Sequence, residues 1–201
     1  MEIYTLTLGY CQTNVYVLSE NGTAAVIDPS DDVQGVLRFL QNRNLRVKYA
    51  LVTHGHFDHI GGVYALQKNG ATVYMSKEDY NLVDFTDTNS LFGAPKEKFT
   101  PDVYVRDGDE LDILGHSVRV ISAPGHTPGG VCYIFDDSKI FTGDTLFRHS
   151  VGRTDFPHGD FAELKKSVKK LFALTGDYTV FPGHGESTTL DFERANNLYV
   201  H

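Results

Sequence analysis

Seven consecutive residues decide the fold of this chain: Thr53-His54-Gly55-His56-Phe57-Asp58-His59. The segment holds three imidazoles, which are strong ligands for zinc, iron or copper, and a carboxylate, which adds negative charge and an oxygen donor. It follows a short β-branched apolar run, residues 47–53, that predicts a buried strand. If the chain is still extended as it leaves the strand, His54 and His56 point the same way. A chance cluster of histidines on a solvated loop is the alternative.

Three further single residues lie in similar surroundings. His126, Asp144 and His184 each follow a predicted strand and lie in a glycine-rich turn. Taken singly, the histidines are more typical of ordinary loops, and Asp144 of a turn or helix cap. Four strand ends that deliver ligands to one edge build a metal site on a rigid scaffold. The predicted metal ligands are therefore His54, His56, Asp58, His59, His126, Asp144 and His184.

The order of the predicted elements indicates the fold class. Each half of the chain shows strands first and helices after, including a hairpin turned at Asn21-Gly22 and a helix over 60–68. A capping box at Asp160 opens a later helix. Residues 79–100 have a poor pattern and predict a loop-rich insertion. We expect an α+β fold, a four-layer αβ/βα sandwich, in one domain over residues 1–201. The stripe expected to bury the later helix is Phe161, Leu164, Val168, Leu171 and Phe172.

Composition narrows the function classes. The net charge of −8 argues against a general nucleic-acid binder, which would show a basic patch. Cys11 and Cys132 are too few for a disulfide framework in 201 residues. Cys132 is predicted to be a small core residue, and Cys11 has no assigned role. Neither a signal peptide nor an apolar run long enough to span a membrane is visible, so we expect a cytoplasmic protein without a membrane partner.

The order and setting of the seven candidate ligands resemble the metallo-β-lactamase superfamily. Residues 53–62, 124–130, 143–147 and 182–185 are most similar to the glyoxalase II (hydroxyacylglutathione hydrolase) group. The resemblance implies two divalent metal ions, with zinc the first expectation and iron or manganese the alternatives. It places His54, His56 and His126 on one ion and Asp58, His59 and His184 on the other, with Asp144 bridging both.

The resemblance also implies an activity. A hydroxide shared by two metals would attack a thioester such as S-lactoylglutathione, because metal binding lowers the pKa of water from about 15.7 to near 7. The catalytic carboxylates would be Asp144, which bridges the ions, and Asp58, which could hold the hydroxide through a hydrogen bond. The substrate would be a small-molecule thioester or ester.

The chain departs from larger glyoxalase II enzymes in two places. It stops about seventeen residues after His184, so the helical C-terminal extension that helps bind glutathione is expected to be largely missing. A lysine and a tyrosine of that group contact glutathione after the bridging aspartate, where this chain has Arg153 and Asp155. Arg153 either replaces the lysine or forms an ion pair with Asp155. Candidate substrate contacts are Arg153, Phe147 and Arg148, with Phe156 and the 85–99 segment also able to shape a pocket.

Other activities compete with this one. Persulfide dioxygenases resemble the chain too, including the Gly152–Phe156 stretch, and would bind one iron through His54, His126 and Asp144. The full second set of ligands argues against them. A hydrolase of another ester or lactone, and a metal-binding module without turnover, are further alternatives. A β-lactamase is less favoured because those enzymes lack this complete two-site set.

Overall fold

A computed structural model describes residues 1–85 and 97–200. Within these ranges, two six-stranded sheets and one two-stranded sheet are present. The first sheet runs β1 (Glu2–Leu8), β2 (Thr13–Glu20), β3 (Thr23–Ile27), β4 (Arg46–Leu51), β5 (Thr72–Ser76), β6 (Val103–Val105). The second contains β7 (Glu110–Ile113), β8 (His116–Ser122), β9 (Val131–Phe135), β10 (Lys139–Gly143), β13 (Thr179–Pro182) and β14 (Thr188–Thr189). The small sheet pairs β11 (Leu146–Phe147) with β12 (Ser150–Val151).

Helices cover the outer faces of the two large sheets. They are α1 (Val33–Asn42), α2 (Phe57–Ile60), α3 (Val63–Lys68), α4 (Lys77–Tyr80), α5 (Phe161–Phe172) and α6 (Leu190–Asn196). Buried residues of α1 and α3 pack with the first sheet, and those of α5 and α6 pack with the second. None of these helices has the length and apolar character needed to cross a membrane, in the parts of the chain that the structure describes.

The inner faces of the sheets form a third core. Leu18 and Ile27 of the first sheet pack in one cluster with Tyr133, Phe135 and Phe141 of the second. The helix–sheet–sheet–helix order confirms the predicted αβ/βα sandwich of the α+β class. Burial of Cys132 in the core on the outer face of the second sheet also agrees with the sequence.

Parallel strands explain why distant residues meet at one edge. β3, β4 and β5 run parallel in the first sheet, and β10 and β13 run parallel in the second. β8 has the same direction as β10, because each is antiparallel to β9. The carboxyl ends of β4, β8, β10 and β13 therefore present the chain segments that follow them along a shared edge, the usual position of binding sites in such sheets.

The helix predicted over 60–68 is wrong, because two short helices occupy the region. Gly61 and Gly62 separate α2 from α3 and pack directly on the backbone of the loop after β3. A Cβ on Gly61 would lie 2.5 Å from the Asp31 Cα, and one on Gly62 would lie 2.4 Å from the Pro29 oxygen. The early start of α2 places Asp58 and His59 on a helical turn that faces the sheet edge.

One smaller prediction for α5 also needs correction, whereas the rest of its buried stripe and its cap are confirmed. Phe161 does not join the buried stripe of α5, because it is the first helical residue and its exposure is 45%. Leu164, Val168 and Leu171 are buried as predicted. Asp160 caps α5 by accepting from the backbone N–H groups of residues 162 and 163. Of the predicted insertion at 79–100, residues 86–96 lie outside the described residues.

Candidate metal centre

The structure brings all seven predicted ligand residues to the shared edge. Five of them are buried: His54, His56, Asp58, His59 and His126. The other two are partly exposed, since the Asp144 side chain retains 12% of its accessible surface and the His184 side chain 29%. The centre is therefore enclosed on most sides and opens to solvent beside His184.

The first group, called here the three-histidine site, consists of His54, His56 and His126 with Asp144. One nitrogen from each histidine lies within 4.8 Å of the others. His56 Nδ1 and His126 Nε2 are 2.9 Å apart, and His126 Nε2 lies 3.5 Å from Asp144 Oδ2. The nitrogens converge on one point from two loops that are far apart in the chain.

The second site consists of Asp58, His59 and His184 with the same Asp144. His59 Nε2 and His184 Nε2 each lie 3.4 Å from Asp58 Oδ2. Each also lies 3.5 Å from an oxygen of Asp144. Ligand atoms about 2.0–2.1 Å from a tetrahedral zinc ion are separated by roughly 3.3 Å. These four separations therefore fit a tetrahedral cation.

Hydrogen bonds fix which ring nitrogen His54 and His59 offer. Asp28 Oδ2 accepts from His59 Nδ1 at 2.9 Å and from Thr53 Oγ1 at 2.6 Å. Because the Thr53 hydroxyl donates to Asp28, it accepts from His54 Nδ1 at 3.1 Å. One carboxylate thus orients an imidazole of each site and leaves both Nε2 atoms as the ones that could bind a metal.

His126 is fixed in the same way by the backbone. A carbonyl oxygen can only accept, so the 2.7 Å contact with the Arg153 oxygen requires a proton on His126 Nδ1. Three buried atoms at the centre, His54 Nε2, His59 Nε2 and Asp144 Oδ1, have no hydrogen-bond partner. Buried polar atoms are normally satisfied, and a pair of cations, one at each site, would satisfy these three. The donor set therefore fits divalent metal ions.

Electrostatics differ between the two sites in the metal-free protein. Burial holds the pKa of His54 well below its usual range, and burial together with the charge of His126 lowers that of His56 to about 3. Both imidazoles are neutral near pH 7, which is the form that binds a metal. The three-histidine site therefore has at least two ligands that need not lose a proton.

Carboxylates reverse this pattern at the second site. Burial alone would lower the pKa of His59 and His184, but the neighbouring carboxylates outweigh it and raise the values to about 9 and about 10. Burial would raise the pKa of Asp58 and Asp144, but the nearby imidazoles hold the Asp58 value low and the Asp144 value at about 2. Without metal, this site carries two opposite pairs of charges.

Two supporting residues were missed by sequence reasoning. Asp28 lies within 4.8 Å of ligand atoms of His54 and His59, but its oxygens are occupied by the hydrogen bonds given above and by the Thr53 N–H. It therefore orients ligands and is not one itself. The sequence Asp28-Pro29 indicated only the end of a strand. Thr13, which donates to Asp58 Oδ2 at 2.8 Å, has no sequence signal beyond its place at the start of β2.

The predicted substrate contacts lie at the rim. The Arg153 guanidinium forms two hydrogen bonds with Asp155 and stacks 3.7 Å from the ring centre of Phe156, which itself lies 6.0 Å from the ring of His56. Phe147 lies 6.2 Å from the ring of His184. Arg148 is exposed, pairs with Glu186 and packs over the ring of Phe192. Exposed Cys11 and Tyr10 lie in the β1–β2 loop.

A sandwich of two sheets with a histidine and aspartate cluster at one edge is typical of metal-dependent hydrolases. The chain belongs to the metallo-beta-lactamase superfamily, which it matches over residues 8–184. Among curated proteins, it is 32% identical to "Hydroxyacylglutathione hydrolase GloC" of Haemophilus influenzae, over 100% of this chain and 97% of that protein.

Three solved structures share the fold over nearly the whole chain. The BLEG-1 B3 metallo-beta-lactamase has a TM-score of 0.89 and 30% identity, covering 99% of both chains. TTHA1623 in a di-iron-bound form has a TM-score of 0.85 and 33% identity, covering 98% of this chain and 100% of that one. ETHE1 from Myxococcus xanthus has a TM-score of 0.82 and 28% identity, covering 98% and 84%.

Proposed function

We propose that the protein is a two-metal hydrolase that cleaves a small thioester such as S-lactoylglutathione. The observation that carries the proposal is the pair of ligand sets that share Asp144, with ligand separations of 3.4–3.5 Å at the second site. Bound there, two divalent cations would polarise a carbonyl and lower the pKa of water to near neutrality. Zinc is the first expectation, and the di-iron form of TTHA1623 supports iron as an alternative.

The side chains would divide the work. His54, His56 and His126 would hold one cation and Asp58, His59 and His184 the other, with Asp144 between them. The second Asp58 oxygen would also hold the attacking hydroxide through a hydrogen bond, because Thr13 binds only Oδ2. The exposed edge of His184 marks the side from which the carbonyl would approach.

The thioester assignment is supported by the likeness to GloC over the full length of this chain. Arg153 offers a cation close to the three-histidine site for a carboxylate of the thiol part. Phe147, near His184, offers an apolar face, and Arg148 a second cation at the rim. The cytoplasmic location and the absence of nucleic-acid and membrane partners stay predictions from composition.

The test is hydrolysis by metal-loaded protein of S-lactoylglutathione, a non-glutathione thioester, a lactone and the β-lactam nitrocefin. We expect the highest kcat/KM with the glutathione thioester. A higher kcat/KM with the lactone or nitrocefin would replace the thioester assignment. Absence of turnover with every substrate would favour a metal-binding module without catalysis.

A persulfide dioxygenase is the second candidate. The likeness to ETHE1 and the Gly152–Phe156 stretch favour it. It would use one iron held by His54, His126 and Asp144, and would leave four residues without a catalytic role: His56, Asp58, His59 and His184. Oxygen uptake with glutathione persulfide, together with one tightly bound iron per chain, would support this candidate over the hydrolase.

A further inference from the structure

Asp79 is a buried carboxylate that lies outside both ligand sets. It lies in the first turn of α4, directly after β5, and its exposure is 0%. Oδ2 accepts from the Gly55 N–H at 2.8 Å and from Thr127 Oγ1 at 2.7 Å. Oδ1 accepts from the Gly129 N–H at 2.5 Å. Every one of these donors belongs to a loop that carries a histidine of the three-histidine site.

The groups that donate to Asp79 lie next to the histidines of the three-histidine site in the sequence. Gly55 lies between His54 and His56, and Thr127 directly follows His126. One carboxylate therefore ties together the two loops whose nitrogens must converge on the same ion. The strands behind the loops are joined separately, by the Val131 N–H and the Thr53 oxygen at 2.9 Å. Loss of the Asp79 bonds would free the loop tips while the sheets stay packed.

The Asp79 carboxylate packs closely against the backbone of the loop that carries His126. A Cβ on Gly129 would lie 2.6 Å from Asp79 Oδ1 and 2.4 Å from the Ser76 hydroxyl. Ser76 in turn accepts from the Asp79 N–H and caps α4. The carboxylate is thus fixed from its own helix and makes direct contact with both loops.

We propose that Asp79 is a positioning residue that sets the distance between the two halves of the three-histidine site and thereby its metal affinity. The second site has different supports: Asp28 orients His59, and Thr13 orients Asp58. Asp79 therefore acts on one site only. The inference depends on the proposed function to the extent that the three histidines bind a metal, and it does not depend on the substrate.

The test compares Asp79→Asn with a matched control, Glu193→Gln. Asparagine keeps the size of aspartate but turns an NH₂ group towards an N–H or O–H donor. Glu193 is equally buried and accepts from the His149 N–H, Thr188 Oγ1 and Asn197 Nδ2, none of which lies in a ligand loop. Both substitutions replace a buried carboxyl group with an amide and disturb a comparable set of hydrogen bonds.

Zinc binding to the metal-free proteins gives the main measurement. We expect Asp79→Asn to lower the affinity for one of the two zinc ions by about 10- to 100-fold, the usual effect of losing a group that orients ligands. The affinity for the other zinc ion should not change. Glu193→Gln should lower the melting temperature and bind both ions as the wild type does. Amide NMR signals of Gly55 and Gly129 should move in metal-free Asp79→Asn and stay in place in Glu193→Gln.

The outcomes separate this inference from the proposed function. Wild-type affinity for both ions in Asp79→Asn, equal weakening of both, or the same zinc loss in Glu193→Gln would each overturn the role of Asp79. Loss of one zinc in Asp79→Asn, in a protein whose wild type hydrolyses no thioester, would overturn the function and support the inference. If Asp79→Asn does not fold, Thr127→Val can replace it, because valine has the size of threonine but lacks the hydroxyl that donates to Asp79. Affinity for the same zinc ion should then fall, but by less than the loss expected for Asp79→Asn.

Discussion

Asp144 connects the two halves of the centre more directly than any other side chain described. Its oxygens lie 3.5 Å from His59, His126 and His184, which come from three different segments of the chain. One of its oxygens is buried without a hydrogen-bond partner. Such a residue should bind both ions, so its loss should affect both sites.

The first prediction is that Asp144→Ala lowers kcat by more than about a hundredfold, because loss of a ligand should exceed the 10- to 100-fold effect of losing a group that orients one. Metal analysis should show fewer than two ions per chain. Unchanged turnover or full metal content would remove Asp144 from the bridging position. Asp155→Ala, an exposed aspartate outside both ligand sets, provides the control for metal content.

Replacement of Arg153 tests whether this residue binds substrate or only forms a structural ion pair. Its ion pair with Asp155 is more than half exposed on both sides, and such pairs contribute about 0–1 kcal/mol. Arg153→Ala should therefore change the melting temperature little and raise KM for glutathione thioesters. Arg119→Ala breaks another Arg–Asp pair, with Asp137, and should leave KM unchanged. A lower melting temperature with an unaltered KM would identify the Arg153 pair as structural.

Proton release tests the electrostatic difference between the sites. The pKa values of His59 and His184, about 9 and about 10, lie above the unfolded value of roughly 6.5. Their charges thus stabilise the metal-free fold fully below about pH 6.5, and this stability is lost as the pH rises through the folded values. A metal must displace both protons, so affinity at the second site should rise with pH across this range.

Calorimetry in buffers of different ionisation enthalpy measures that displacement. Near neutral pH, we expect one of the two zinc ions to release about two protons from His59 and His184. The other should release fewer, because His54 and His56 are already neutral. Equal release at both steps would contradict the assignment of the ligand sets.

At the scale of the elements, the helix cap of α5 carries a stability prediction. Asp160 accepts from two backbone N–H groups, and replacing such a cap with alanine costs about 1 kcal/mol. For a chain of this size, the melting temperature should fall by about 2–4 °C in Asp160→Ala. Asp160→Asn retains an acceptor oxygen, so its melting temperature should fall less. The zinc content of both variants should equal that of the wild type. An unaltered melting temperature in the alanine variant would show that the cap contributes nothing.

The sequence predicted the elements that have strong local patterns. The hairpin at Asn21-Gly22 and the cap at Asp160 depend on neighbouring residues, and both are present. The single helix over 60–68 failed because the contacts of Gly61 and Gly62 with residues 29–31 are tertiary. The strand β6 was not predicted, since three residues give no usable periodicity.

The same distinction applies to the centre. His54, His126, Asp144 and His184 could be grouped because each follows a strand end, and the structure places them together. Asp28 and Asp79 could not be identified from the sequence, because their roles depend on contacts with groups that are distant in the chain. An aspartate before proline and an aspartate in a first helical turn are ordinary local features.

For the whole molecule, metal binding should stabilise the fold. The ligands come from both sheets, so the unfolded chain cannot present the same site, and a ligand at 100 times its Kd adds about 2.7 kcal/mol. We expect removal of metal with a chelator to lower the melting temperature by roughly 5–10 °C. Re-addition of zinc should restore the melting temperature of the wild type fully and that of Asp144→Ala only in part. A melting temperature insensitive to chelator would count against metal binding at the sheet edge.

Anomalous diffraction from crystals of the metal-loaded protein tests the central claim most directly. We predict two peaks about 3.5–4 Å apart on either side of Asp144, the usual spacing in two-metal sites. One should lie within bonding distance of His54, His56 and His126, and the other of Asp58, His59 and His184. A single peak beside His54, His126 and Asp144, or peaks away from this edge of the sheets, would contradict the account.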